Sequence, residues 1–179
     1  MTNTLRTGER ADLVDTLRRH RDFLRYTVRD ITDDQARQRT TASELTLGGL
    51  IKHVAVTEAT WAGFIVSGPA PGPGIDWAAV DWSNPPAEVV AWADGHRMTG
   101  AETLPDLLAR YDEVAAATDE LIAGTDLDAA RPLPAAPWFE AGATWTARRA
   151  LLHMIAETAQ HAGHADIIRE SLDGQKTMG

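Results

Sequence analysis

Apolar residues recur at the spacing of an α-helix in four long segments of the chain. In the first segment Leu13, Leu17 and Leu24 lie four and seven residues apart, so they fall on one helix face. Two of the later segments begin with a threonine that is a candidate N-cap, at Thr46 and Thr146. The pattern predicts four long helices over residues 8–30, 46–66, 104–124 and 146–173.

The connections between these helices differ in length and composition. Glycine and proline dominate residues 68–74, and a short helix is predicted over residues 87–93 within the long crossing that follows. Residues 125–145 contain three prolines and are expected to form a loop. Because no useful stretch has the period of a strand, the predicted fold class is all-α. Four helices with a long crossing loop predict a four-helix bundle, a single domain over residues 1–179.

The composition is that of a globular protein with an acidic surface. Of 179 residues, 44% are hydrophobic and 24% are charged, and 26 acidic against 17 basic residues give a net charge of −9. This charge disfavours binding to nucleic acids and anionic membranes. The absence of cysteine excludes disulfides, cysteine zinc sites and cysteine nucleophiles. With no apolar leader and no run of about 18 apolar residues, the expected location is the cytoplasm.

The last predicted helix carries a stripe of four polar residues. At about 100° per residue, His153 and His161 each lie about 40° from Glu157, on opposite sides, and His164 lies about 20° from it. Residues four apart have Cβ atoms about 5–6 Å from each other, which lets two side chains share one metal ion. Flanking leucines and isoleucines indicate that part of the stripe faces the bundle interior, where ionisable groups need a partner.

A further histidine, His53, lies on an otherwise apolar part of the second helix. Across a bundle it would join Glu157 and His161 in a set of two nitrogen ligands and one oxygen ligand. Three protein ligands with an open fourth position are typical of catalytic zinc sites. Spacing alone leaves His153 as an alternative ligand, and His164 as a residue that orients a ligand.

The order of these residues resembles a known superfamily. A histidine in the second helix, followed by E-x-x-x-H-x-G-H in the last, is similar to the DinB/YfiT-like metal-dependent enzymes. The stretch LLHMIAETAQHAGHADIIRESLDG resembles the branch of mycothiol S-transferases and, more remotely, mycothiol-dependent maleylpyruvate isomerase. The resemblance implies a bundle of up-down-down-up topology. It also implies a divalent metal, usually taken as zinc, held by His53, Glu157 and His161.

The implied activity is that of a zinc-dependent thiol S-transferase. Such an enzyme uses a low-molecular-weight thiol, here mycothiol, to conjugate electrophilic small molecules, as in detoxification. Two alternatives stay open. One is a metal-dependent hydrolase with His164 or Glu58 as general base, which would turn over without added thiol. The other is a non-enzymatic bundle that binds a metal or a ligand. The oligomeric state is also open, with a homodimer among the alternatives.

The substrate pocket is expected beside the open face of the metal, and no catalytic residue is predicted beyond the metal centre itself. Three aromatic residues and one arginine are its candidate lining: Trp61, Phe64, Trp138 and Arg149. The remaining histidines, His20 and His96, have no evident partner in the sequence and are expected at the surface.

Overall fold

The computed structural model describes residues 8–70, 80–134 and 139–177. Its elements are α1 (Glu9–Tyr26), α2 (Asp33–Arg37), α3 (Leu47–Ser67), α4 (Ala87–Asp94), α5 (Leu104–Gly124), β1 (Ala130–Pro132), β2 (Thr144–Thr146) and α6 (Ala147–Asp173). Helices α1, α3, α5 and α6 are the four predicted long helices, and α4 is the predicted short one. The all-α fold class is therefore confirmed.

Threonine caps explain where four of these helices begin. The hydroxyls of Thr32, Thr46, Thr103 and Thr146 each accept a hydrogen bond from the backbone N–H three residues later. Such a cap is worth about 1 kcal/mol because it satisfies one of the free N–H groups of the first turn. At the other end of α6, Gly174 adopts a left-handed conformation with φ 80°, which stops the helix.

The four long helices pack around two hydrophobic clusters that are stacked along the bundle. One cluster joins the C-terminal parts of α1 and α6 to the N-terminal parts of α3 and α5, and includes Leu24, Leu50 and Ile168. The other joins the opposite ends and includes Leu17 and Phe64. Helices α1 and α6 therefore run parallel to each other and antiparallel to α3 and α5. This is the up-down-down-up topology, and it requires a long crossing between the parallel helices α3 and α5.

Two small elements depart from the sequence prediction. Helix α2 follows the first long helix, and the expected loop over residues 125–145 contains an antiparallel ribbon of β1 and β2. Ala130 lies opposite Thr146 and Pro132 lies opposite Thr144 in this ribbon. Each strand has only three residues, which is too short for an alternating pattern to be recognised. The ribbon leads directly into α6 and so fixes where the helix with the polar stripe begins.

The described residues contain no candidate membrane-spanning helix. None of their helices combines the length and the apolarity that a bilayer crossing requires.

Candidate metal centre

Helices α3 and α6 bring together His53, Glu157 and His161. One ligand atom from each of the three side chains lies within 4.8 Å of the other two, and all three side chains are half-buried. The Nε2 atom of His161 is 3.4 Å from Glu157 Oε2. The ring centroids of His53 and His161 are 4.8 Å apart, with the planes nearly perpendicular. Two imidazoles and one carboxylate thus converge on one point from facing helices.

The protonation state of His53 suits a ligand. Burial, assisted by repulsion from His96 and His161, lowers the pKa of His53 to about 4. Burial also lowers the pKa of His161, although the carboxylate of Glu157 opposes the change. Both imidazoles are therefore neutral near pH 7, and the neutral imidazole is the form that binds a metal.

The other two histidines of the α6 stripe lie at the edges of this cluster. His164 Nδ1 is 3.5 Å from His161 Nδ1, within reach to orient that ring. His153 Nε2 is 3.7 Å from the second oxygen of Glu157. Among the described residues, however, the set whose ligand atoms converge contains His161 and not His153. The orienting role of His164 stays a prediction.

His96 is a site residue that the sequence did not reveal. It is half-buried rather than a surface residue, and its ring stacks on that of His53 with centroids 4.4 Å apart. It follows α4 in the long crossing, where no periodic pattern connects it to α3. The two consecutive glycines Gly48 and Gly49 are the local sequence feature that could have indicated a contact here, since they allow another segment to approach the start of α3 closely. His20 is likewise half-buried and contacts Phe23 edge-on.

The candidate pocket residues have different environments. Trp61 stacks on Trp145 with centroids 4.9 Å apart, and His153 forms an edge-to-face contact with each of the two rings. Arg149 is exposed and lies over the Trp145 ring. Trp61 and Trp145, with Arg149 over Trp145, therefore form an aromatic wall beside His153, which lies one turn before Glu157 on α6. Trp145 is an addition to the predicted lining.

Two pocket predictions do not add to this wall. Phe64 is only 5% exposed and belongs to the hydrophobic core, because it points inward among apolar side chains of α1, α3 and α6. Trp138 lies outside the described residues.

Glu58 does not fit the role of a general base. Its two carboxylate oxygens both accept hydrogen bonds from Arg21, at 2.5 and 3.0 Å, and the side chain is 1% exposed. Arg21 also donates to Asp119 at 2.9 Å. Burial alone would lower the pKa of Arg21, but the two carboxylates more than offset it and raise that pKa. Glu58 is thus part of a buried ion-pair network between α1, α3 and α5.

The fold and the site together define a class of protein, namely a four-helix bundle with a candidate metal centre on facing helices. Comparison with known families makes the assignment specific. A family model for mycothiol S-transferase matches residues 12–174, and the chain belongs to this family. The resemblance seen in the motifs of α3 and α6 is thereby confirmed.

Two further comparisons concern curated proteins and solved structures. No curated protein matches the chain. The fold is similar to that in a crystal structure of the conserved protein of locus from Enterococcus faecalis, with a TM-score of 0.67 and 14% identity. The match covers 95% of this chain and 100% of that chain, and at this identity it speaks for the fold alone.

Proposed function

We propose that this protein is a metal-dependent mycothiol S-transferase that conjugates the thiol to electrophilic small molecules. The observation that carries the proposal is the convergence of His53, Glu157 and His161 from two facing helices, in a chain of the mycothiol S-transferase family. The cytoplasmic location stays a prediction, and the oligomeric state stays open, with a homodimer among the alternatives.

The donor chemistry of the three residues fits zinc. Zinc is bound by imidazole nitrogen and carboxylate oxygen, and catalytic sites use three protein ligands with one position left for a substrate. Atoms within 4.8 Å of one another can share an ion at about 2.0–2.2 Å with small adjustments of the side chains. Within the described part of the chain, Glu157 lies within 3.7 Å of the imidazoles of His153 and His161 and forms no ion pair with an arginine or lysine. Its negative charge is therefore available to a cation.

The nucleophile has to come from the co-substrate, because the 179 residues contain no cysteine. A bound divalent metal would supply the positive charge that keeps a thiol in its deprotonated, attacking form. The side chains of this protein would hold that metal, orient the thiol and limit the access of water. Of the two candidate general bases of the hydrolase, Glu58 is bound to Arg21, so that alternative depends on His164.

The aromatic wall is the proposed surface for the electrophile. Trp61 and Trp145 are half-buried and present apolar rings beside His153, one turn before Glu157. Arg149, exposed above Trp145, offers a guanidinium for polar groups of the thiol. Substitution of Trp145 by alanine is expected to raise KM for an aromatic electrophile more than it changes metal content.

Metal content is the first test. Elemental mass spectrometry on tag-free protein prepared without chelators is expected to find about one divalent metal per chain, and to find none in His53→Ala or His161→Ala. His20→Ala is the matched control, because it removes a half-buried histidine of α1 that is not part of the cluster. A wild-type protein that takes up no zinc, even when zinc is offered, contradicts the metal centre.

Activity is the second test. Wild-type protein with mycothiol and a fluorogenic bimane electrophile is expected to form the conjugate, and metal-depleted protein and His161→Ala are expected to lose this activity. Full conjugation by a metal-free variant would overturn the metal dependence. Turnover of an ester or amide without thiol would favour the hydrolase instead.

A further inference from the structure

We propose that His96 is a positioning residue of the metal centre, which holds the ring of His53 in its ligating orientation by stacking on it. The inference rests on the proposed function, because it concerns how one of the three ligands is kept in place. His96 belongs to the crossing between α4 and α5, so the crossing would contribute to the metal site without supplying a ligand.

The ring of His53 is enclosed on two sides. His96 covers one face, with centroids 4.4 Å apart and an angle of 26° between the planes. His161 contacts the ring edge-on, with centroids 4.8 Å apart and an angle of 86°. Aromatic rings at these separations attract each other in offset-stacked and edge-to-face arrangements. Loss of His96 would leave one face of His53 uncovered, and the ring would be freer to rotate about its last torsion angle.

The segment that contains His96 packs closely against the start of α3. A Cβ atom placed on Gly49 would lie 2.5 Å from the backbone oxygen of His96, so only glycine allows this approach. Lys52, the neighbour of His53, donates from Nζ to the backbone oxygen of Arg97 at 3.1 Å and forms an ion pair with Glu102 at 2.9 Å. Contacts at His96 and at the next residue therefore hold the backbone that carries the His96 ring against the start of α3.

The geometry separates positioning from ligation. An imidazole nitrogen binds a metal along its lone pair, in the plane of its own ring. An ion in the plane of His53 would lie above the ring of His96 rather than in its plane, because the two rings are stacked. Among the described residues, the converging ligand atoms also belong to His53, Glu157 and His161 and not to His96. The neighbours of metal ligands commonly act in this way, by fixing the orientation of the ring.

Two substitutions at one position test the inference. His96→Ala removes the stacked ring, and zinc affinity measured by competition with a chromophoric chelator is expected to fall about 10–100-fold. His96→Phe keeps a stacked ring without a nitrogen, and its affinity is expected to stay close to that of the wild type. The visible spectrum of the Co²⁺-loaded protein is expected to be the same in wild type and His96→Phe, because the ligands are unchanged. His20→Ala again controls for the loss of a histidine elsewhere.

Each outcome has a distinct meaning. Wild-type affinity in His96→Ala would overturn the inference and leave the metal centre intact. Equal loss in His96→Ala and His96→Phe, with a changed Co²⁺ spectrum, would overturn it in favour of direct ligation.

A metal-free measurement keeps the test independent of the proposed function. The ring-proton chemical shifts of His53 should move in His96→Ala and be restored towards the wild type in His96→Phe. Unchanged shifts in His96→Ala would overturn the stacking itself, whereas failure of wild-type protein to bind any metal would overturn the proposed function.

Discussion

Two of the clusters of charged or ionisable side chains that the structure describes between the helices differ in how their charge is balanced. In the first, Arg21 of α1 bonds to Glu58 of α3 and Asp119 of α5. In the second, His53 of α3 meets Glu157 and His161 of α6. His53 and Glu58 are five residues apart, about 7.5 Å along α3, so one helix contributes to both clusters.

The difference shows how a buried polar cluster can be classified from its own chemistry. The Arg21 network contains both donors and acceptors, with a cation between two anions, and Arg21 and Glu58 are each 1% exposed. It is complete within the chain and stabilises one arrangement of α1, α3 and α5. The His53 cluster contains the nitrogen lone pairs of two imidazoles and one carboxylate, which face one another. Its side chains are more exposed than those of Arg21 and Glu58. An added cation would complete the second cluster but has no place in the first.

The largest expected effect is on the self-contained network. Arg21→Met leaves the buried Glu58 without its cation and leaves Asp119 with the more exposed Arg18 alone, and removal of one partner of a buried ion pair costs about 3–5 kcal/mol. Urea denaturation should show this loss in the free energy of unfolding. Arg19→Met is the control, because Arg19 is exposed on the same helix and should change stability by no more than about 0.5 kcal/mol. Similar stabilities for the two variants would contradict the distinction between the clusters.

The second effect is the response of the open cluster to metal. Zinc at about 100 times its dissociation constant should raise the free energy of unfolding of the metal-depleted wild type by about 2.7 kcal/mol, because the ion binds only the folded state. His161→Ala should lose this response while staying folded without metal. His153→Ala should keep it, since His153 lies outside the converging set. A response that disappears in His153→Ala and persists in His161→Ala would reverse the assignment of the ligand.

A smaller effect on stability is expected where the crossing between α3 and α5 packs against the start of α3. Gly49→Ala places a methyl group against the backbone of His96, and overpacking of this kind costs about 1–3 kcal/mol. Gly63→Ala on the same helix meets no atom within 4 Å and should instead stabilise by up to about 1 kcal/mol. Thermal unfolding of the two variants gives the comparison. A stabilising Gly49→Ala would show that the close approach of the crossing is absent in solution.

The smallest effect is expected at an exposed ion-pair cluster. Arg148 at the start of α6 bonds to Glu9 of α1 and to Asp128, and these contacts lower the pKa of both carboxyl groups. Arg148→Ala should lower the urea midpoint only slightly, and the difference from wild type should vanish at high salt, because exposed pairs are screened. A salt-independent loss as large as that of Arg21→Met would mean that exposure does not separate the two kinds of cluster.

The success of the fold prediction has a local cause. Helices α3, α5 and α6 begin and end within one residue of their predicted bounds. Their threonine caps and their helical period depend only on residues that are close together in the sequence. Helix α1 ends at Tyr26 rather than near Asp30, since the following residues form a turn in which Asp30 has φ 57°. Helix α2 did carry a recognisable signal, the capping box of Thr32 and Gln35.

The site prediction could be drawn from one helix only in part. The spacing of α6 places both His153 and His161 one turn from Glu157, and it treats the two histidines as equivalent. Which of them joins His53 depends on where α3 crosses α6. Likewise Phe64 and Trp61 are only three residues apart on α3, yet one lies in the core and the other stacks on Trp145.

The sequence by itself determined the four helices, the polar stripe of α6, the isolated His53 and the absence of cysteine. Each of these depends on residue type or on spacing within one segment, which local backbone geometry converts directly into a face or a cap. Only the tertiary structure decided that His161 faces His53, that Glu58 belongs to Arg21, and that His96 stacks on the site. These are contacts between segments distant in the chain, and they are set by how the helices and the crossing pack, which no local pattern encodes.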